Sequence, residues 1–203
     1  MKKGIFKAKT NIDNQKKLYI FLIGLAFISI ISGIIFIFLI SEENSLIIKE
    51  NLTQYFNNIN QEDNFTLLLT SSINNLIYII TIWILGISII GLPIILIIFI
   101  FKTFILGFSI SSIIYTFKWQ GIIKTIINIF PHQIMFIIIL LLLTFYSISF
   151  CIKLFKYLFL KRNINFKEVM YKYIKILFIC IISSILISSY EAYIATYLLN
   201  FFN

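Results

Sequence analysis

INNLIYIITIWILGISIIGLPIILIIFIFKTFILGFSISSIIYTF, Ile73 to Phe117, is the stretch that decides the fold. It runs 45 residues with a single charge, Lys102. At about 1.5 Å per residue, one helix of that length would be roughly twice the ~30 Å thickness of a bilayer core. The run must therefore fold back on itself. Gly91-Leu92-Pro93 is the expected turn, because glycine permits unusual backbone angles and proline suits the first turn of the next helix. Two helices, 73–92 and 93–116, should form a tight hairpin.

The rest of the chain has the same character. Its 203 residues are 60% hydrophobic and 12% charged, with mean hydropathy +1.00; soluble domains carry about 25% charged residues. This is the composition of an integral membrane protein, and it excludes a large extramembrane enzymatic domain. The balance of 17 Lys+Arg against 8 Asp+Glu, net +9, reports membrane topology in such a chain rather than a nucleic-acid partner. Cys151 and Cys180 stand singly in apolar stretches, without the spacing of a disulfide framework or a zinc site, and read as inert buried thiols.

Three more spans complete the layout. Residues 18–40 are uncharged and follow six lysines, with no small-residue cleavage site, which reads as a retained signal-anchor. Residues 1–17 carry +5 and residues 41–72 carry −4, so the basic N-terminal segment is expected in the cytoplasm and the loop 41–72 outside. Residues 117–130, with Trp119 as an aromatic anchor, should form an outer interfacial segment, with a dip of 121–130 into the membrane left open. Pro131 opens a helix to about 152. Residues 153–175 carry +6, which makes 153–172 a cytoplasmic loop, and a last helix over 173–199 returns the C-terminus outside. The expectation is an all-α, polytopic single domain over 18–203, a bundle of five transmembrane helices with an outer amphipathic helix.

That amphipathic helix lies over Ser45–Asn60, where Ile48, Leu52, Tyr55, Phe56 and Ile59 recur at helical spacing. It could cap the bundle or lie on the outer leaflet. Alternatively, Glu42, Glu43, Glu50, Tyr55 and Phe56 could form a partner-binding surface.

Polar groups inside spans are costly and point to function by default. Lys102, roughly 14 Å into its helix from Pro93, either snorkels toward the cytoplasmic headgroups or serves as a buried counter-charge. Glu191, beside Ser188, Ser189 and Thr196, is the only acidic residue of the last helix. Asn74, Asn75 and His132 fall at helix ends on the same side. They either cap those ends or join Glu191 in an outer polar cluster. No catalytic group, cofactor or metal is expected: the chain has one histidine and lacks a His-Glu-x-x-His motif and a phosphate-binding loop. Gly107-Phe108-Ser109-Ile110 only partly echoes the Gly-x-Ser-Gly of a membrane serine protease.

Asn74-Asn75-Leu76, then Gly86, Gly91 and Pro93, then Phe101-Lys102-Thr103-Phe104-Ile105-Leu106-Gly107-Phe108, together resemble the stage II sporulation protein M family. Ile129-Phe130-Pro131-His132 is similar to that family's Pro-His element, and Tyr190-Glu191-Ala192-Tyr193-Ile194 to its Glu-Ala-aromatic element. The chain departs from the wider family at Gln133 and Phe136, where Gly and Glu are frequent; if that family's His and Glu make a ligand or ion site, half of it is missing here. The resemblance implies a non-enzymatic scaffold at the sporulation septum and engulfing membrane, recruiting the wall-degrading stage II sporulation proteins D and P. The alternative is a permease-like subunit of a transporter working with a separate ATPase. Membrane lipids are the other partners expected. Gly24, Gly33 and Gly86 leave a homodimer open through close helix approach.

Overall fold

The computed structural model describes residues 2–59, 63–159, 165–195 and 197. Among them the chain is helical throughout. Helix α1 is Lys2–Phe36, ending in a 3-10 turn at Ile37–Leu39; α2 is Glu42–Ile59, α3 Asn64–Ile87, α4 Gly91–Lys124, α5 Phe130–Leu158 and α6 Phe166–Ser189. Two π-helical turns interrupt this order, Thr125–Ile129 before α5 and Tyr190–Ala195 after α6. Five stretches are long and apolar enough to cross a membrane: Gln15–Leu39, Asn64–Ile87, Gly91–Ile127, Pro131–Leu158 and Phe166–Ala195. The fold is thus the expected all-α bundle of five candidate spans, with α2 as a further helix. Helices satisfy this requirement because a backbone in hydrocarbon must pair its own N–H and C=O groups. Glu62, Lys161, Arg162, Thr196 and Leu199 lie outside the described residues.

Helix α5 runs through the centre. Of its most apolar window 56% is buried, against 22% to 33% for the other four spans. Leu140 and Leu143 of α5 meet Leu22 of α1, Ile79 and Ile82 of α3, Ile95 and Phe99 of α4, and Cys180 of α6 in one core. Outward, Ile20, Phe27, Ile97, Ile138 and Ile182 stay more than half exposed, an apolar belt suited to lipid. Lipid tails are as apolar as leucine, so close packing and interhelical hydrogen bonds hold such a bundle together, not a hydrophobic drive between helices.

Both devices are present. Helices α1 and α4 touch backbone to backbone: a Cβ on Gly33 would overlap the Phe104 carbonyl oxygen, and one on Gly107 would overlap that of Ile30. Gly107 is therefore a packing seat. At the other end of the bundle Tyr173 locks α6 to α3 and α5. Its hydroxyl donates to the Trp83 carbonyl at 2.9 Å and lies 2.9 Å from Ser147 Oγ, while its ring stacks 4.4 Å from Phe150 and 5.6 Å from Trp83. Cys151 is buried and donates to the Gly86 carbonyl at 3.0 Å.

Several boundaries differ from the sequence reading. The α3–α4 turn is Ser88–Ile90, and Gly91 is already the first residue of α4. Gly91 has no positive φ; its role is close approach, since a Cβ there would overlap the Leu85 carbonyl oxygen. Helix α3 starts at Asn64, nine residues before the expected 73, and α6 at Phe166 instead of 173. Both extensions are polar or amphipathic helical turns that a hydropathy boundary omits. Thr70 there donates to the Thr66 carbonyl at 3.0 Å, and Lys172 pairs with Glu168 at 2.7 Å.

Residues 117–130 divide in two: Lys118, Trp119 and Gln120 are exposed, while from Gly121 onward one side of the segment packs against the bundle. Helix α4 bends sharply at Lys118 (φ 51°, ψ −121°), which brings Gly121 back against the Ile113 carbonyl. Gly121, Thr125 and Ile129 are then buried. The π-helical turn that follows has a cause in Pro131, which lacks an N–H and whose ring crowds the carbonyl four residues earlier.

Candidate functional site

The middle of α3, the start of α5 and the end of α6 converge toward the end of the bundle that carries α2. Asn75 sits on the buried face of α3 with Ser72 and Ile79, and Ser71 stands one turn before it. His132 follows Pro131 in the first turn of α5 and is buried. Glu191 is carried by the π-helical turn after α6, one turn beyond the fully buried Ser188.

These side chains form one hydrogen-bonded cluster. His132 Nε2 lies 3.1 Å from Glu191 Oε2, and the Ser71 hydroxyl donates to the same carboxylate oxygen. Asn75 Nδ2 donates to Ser188 Oγ at 3.2 Å, and Ser188 Oγ is 3.3 Å from Ser71 Oγ. Ser71 and Asn75 each also approach His132 Nε2 at 3.4 Å. One order of protons satisfies the hydroxyls and the carboxylate oxygen. Ser71 has a single hydroxyl hydrogen and gives it to the carboxylate, so Ser188 supplies the hydrogen between the two hydroxyls and takes one from Asn75. With its proton on Nε2, His132 donates to the same carboxylate oxygen, and Asn75 Nδ2 packs beside it as a second donor. A hydrogen-bonded carboxylate of this kind is how a charge can persist in an apolar bundle.

Lys102 lies just below this cluster. Its Nζ sits 4.5 Å from the ring centroid of Tyr78 and 5.4 Å from that of Phe136, one helical turn below Asn75 and His132 respectively. The Glu191 carboxylate acts on it electrostatically. The ammonium thus rests over rings of α3 and α5, beside the cluster. A lysine at the centre of a span costs about 2.5–3.5 kcal/mol, while a desolvated cation on an aromatic face recovers about 2 kcal/mol. Two rings and one acid offset most of the cost.

Three of the four residues expected to converge do so. Asn74 does not; it is exposed, since adjacent helical residues point about 100° apart and the turn that buries Asn75 carries Asn74 off the packed face. Ser71 was missed, although its position four residues before Asn75 puts both on one face. Ser189 turns away and donates to the Ile185 carbonyl at 2.9 Å. Among the described residues no three His, Cys, Asp or Glu side chains gather as a metal site requires.

The family model described as Stage II sporulation protein M matches residues 20–196. The chain belongs to that family. No curated protein and no solved structure matches it. As a member of the stage II sporulation protein M family it is a multi-pass sporulation membrane protein. The elements that carried the resemblance acquire places in the fold. Pro131-His132 and Tyr190-Glu191-Ala192 meet in the cluster, and Phe101–Phe108 is the strip of α4 that seats α1. Phe136 is one of the two rings beside Lys102.

The second candidate surface is α2. Ile48 and Leu52 are half-buried and Phe56 is buried, its ring 5.5 Å from Phe117 with Lys124 Nζ 4.8 Å above it. Phe56 is thus an anchor to the bundle and is withdrawn from the partner surface. Glu42, Glu43, Glu50 and Tyr55 remain exposed, as do Leu46 and Ile47.

Proposed function

We propose that this sporulation membrane protein is a non-enzymatic scaffold of the engulfment complex, which recruits the peptidoglycan-degrading stage II sporulation proteins D and P to the septal membrane. The observation that carries the reading is the two-faced build of α2. One face is pinned to the bundle through Phe56 and Phe117, and the other offers Glu42, Glu43, Glu50 and Tyr55 with Leu46 and Ile47. A pinned helix with an acidic and apolar outer face is a preorganised docking element, since the cost of ordering it is met inside the chain. The charge distribution supports a cytoplasmic N-terminus and an outer C-terminus, with α2 outside, on the side of the wall. Residues 1–17 then form a cytoplasmic basic segment ahead of one transmembrane domain.

The test is co-purification of proteins D and P with the triple variant Glu42→Lys, Glu43→Lys, Glu50→Lys, alongside its membrane content. Recruitment should fall at least tenfold with insertion unchanged; undiminished co-purification rejects this surface. Deletion of the gene should stall the septal membrane before it wraps the forespore. One observation favours a second reading, a permease-like subunit working with a separate ATPase: Lys102, His132 and Glu191 are ionisable groups within the spans. In that case Glu191→Gln abolishes function, whereas a scaffold keeps engulfing.

A further inference from the structure

Between α5 and α6, at the level of the polar cluster, lies a recess of about 240 Å³ lined by Pro131, His132, Met135, Leu186, Ile187 and Tyr190. We propose that it binds one acyl chain of a membrane phospholipid. The site is independent of the scaffold reading and of the α2 surface.

Position comes first. The lining residues stand within the first two turns of the span Pro131–Leu158 and the last turns of the span Phe166–Ala195, so the recess opens sideways, toward the upper chains of a leaflet. Its neighbours Ile138 and Ile182 are 59% and 60% exposed and belong to the apolar belt.

Chemistry then selects the occupant. The walls are aliphatic, aromatic or thioether apart from His132, whose Nε2 is turned inward to Glu191 at 3.1 Å. A polar ligand would find only the Tyr190 hydroxyl and would bear a desolvation cost of roughly 2–7 kcal/mol per group left unpaired. An irregular peptide segment would bring unpaired N–H and C=O groups to membrane depth. A helix of a second copy is a cylinder about 10 Å across; it could cover the mouth without filling the recess. A void in the packing forfeits dispersion contacts along its whole lining, and a flexible hydrocarbon chain restores them. Met135 suits such an occupant, because an unbranched thioether adapts to irregular contours. Tyr190 at the edge offers the amphipathic ring typical of the interface.

The consequence concerns the cluster directly behind. His132 forms both a wall of the recess and the ring that holds Glu191, so a seated chain closes the lipid side of that hydrogen bond.

The test uses the full chain reconstituted in dioleoyl phosphatidylcholine nanodiscs, extracted into mild detergent and weighed by native mass spectrometry. The wild type should keep one phospholipid per chain. Met135→Trp and Leu186→Trp fill the recess from opposite walls, at positions 58% and 66% exposed and hence tolerant of a larger side chain. Each should lower the lipid-bound fraction at least tenfold. Ile138→Trp, an equally bulky change outside the recess, should keep it. Gel filtration establishes that each variant is monodisperse, and the two fillers back each other should one fail to fold. A wild type without bound lipid, or fillers that retain it, overturns the proposal. So does a dimer that the fillers dissociate, which would make a second copy the occupant.

Discussion

Removing the Glu191 carboxylate should uncouple three helices at once. Glu191→Ala deletes the acceptor for Ser71 of α3 and for His132 of α5. Interhelical hydrogen bonds in membranes average about 0.6 kcal/mol and reach about 1.7, so two of them, with an ionised acceptor, are worth about 2 kcal/mol. For a chain of this length that corresponds to a fall of about 4–8 °C in Tm. Glu191→Gln keeps an amide oxygen for Ser71 or His132 and should cost about half as much. The sharper test is a double-mutant cycle with Lys102. Alone, Lys102→Met should be nearly neutral, because the cost of placing a lysine in the span and the return from the Tyr78 and Phe136 rings almost cancel. In the Glu191→Ala background the lysine has lost its acid, so Lys102→Met should raise stability by about 1 kcal/mol. The assay is thermal unfolding in one detergent, followed by loss of the monodisperse gel-filtration peak. A Glu191→Ala protein within 1 °C of wild type at the ~2 kcal/mol scale used here, or a cycle that is strictly additive, would refute the cluster as a unit that holds α3, α5 and α6 together.

Three further outcomes follow from the packing. Gly33→Ala and Gly107→Ala should each cost about 1–3 kcal/mol by overpacking the α1–α4 contact, whereas Gly24→Ala, with nothing within 4 Å of its Cβ position, should leave Tm unchanged; equal effects at the three sites would contradict the assigned contact. Lys118→Gly should raise stability by about 1 kcal/mol, since a non-glycine residue at φ 51° carries about 1–3 kcal/mol of strain and glycine returns part of that gain as chain entropy; unfolding temperature measures the sign. Tyr173→Phe keeps the stack with Phe150 but loses the hydroxyl's bonds to Trp83 and Ser147, which should cost about 1 kcal/mol, and hydrogen exchange should quicken at the α6 amides around it.

The glycines also show how a sequence feature can be read correctly and used differently. Gly33 and Gly86 look like seats for a second copy, yet Gly33 receives the Phe104 carbonyl of α4 and Gly86 faces the Tyr173 hydroxyl. Both are occupied within the chain, and Gly24 alone of the three stays open.

What the sequence determined by itself is whatever the bilayer dictates. Runs of uncharged residues must be helical, their length sets the number of crossings, and a 45-residue run must fold back; none of this depends on which helix neighbours which. The amphipathic period of α2 is legible for the same reason, being a property of one helix. The cluster was legible in part. His132 and Glu191 stand out as ionisable groups in apolar surroundings, but Ser71 and Ser188 are ordinary in a helix until a partner faces them. Tertiary structure alone decided the rest. It chose Asn75 over Asn74, turned Lys102 inward onto two rings, buried Phe56 and bent the chain at Lys118. Each of these outcomes depends on which surface of one helix meets which surface of another, and that is settled by pairwise fit between side chains far apart in sequence, which no local pattern encodes.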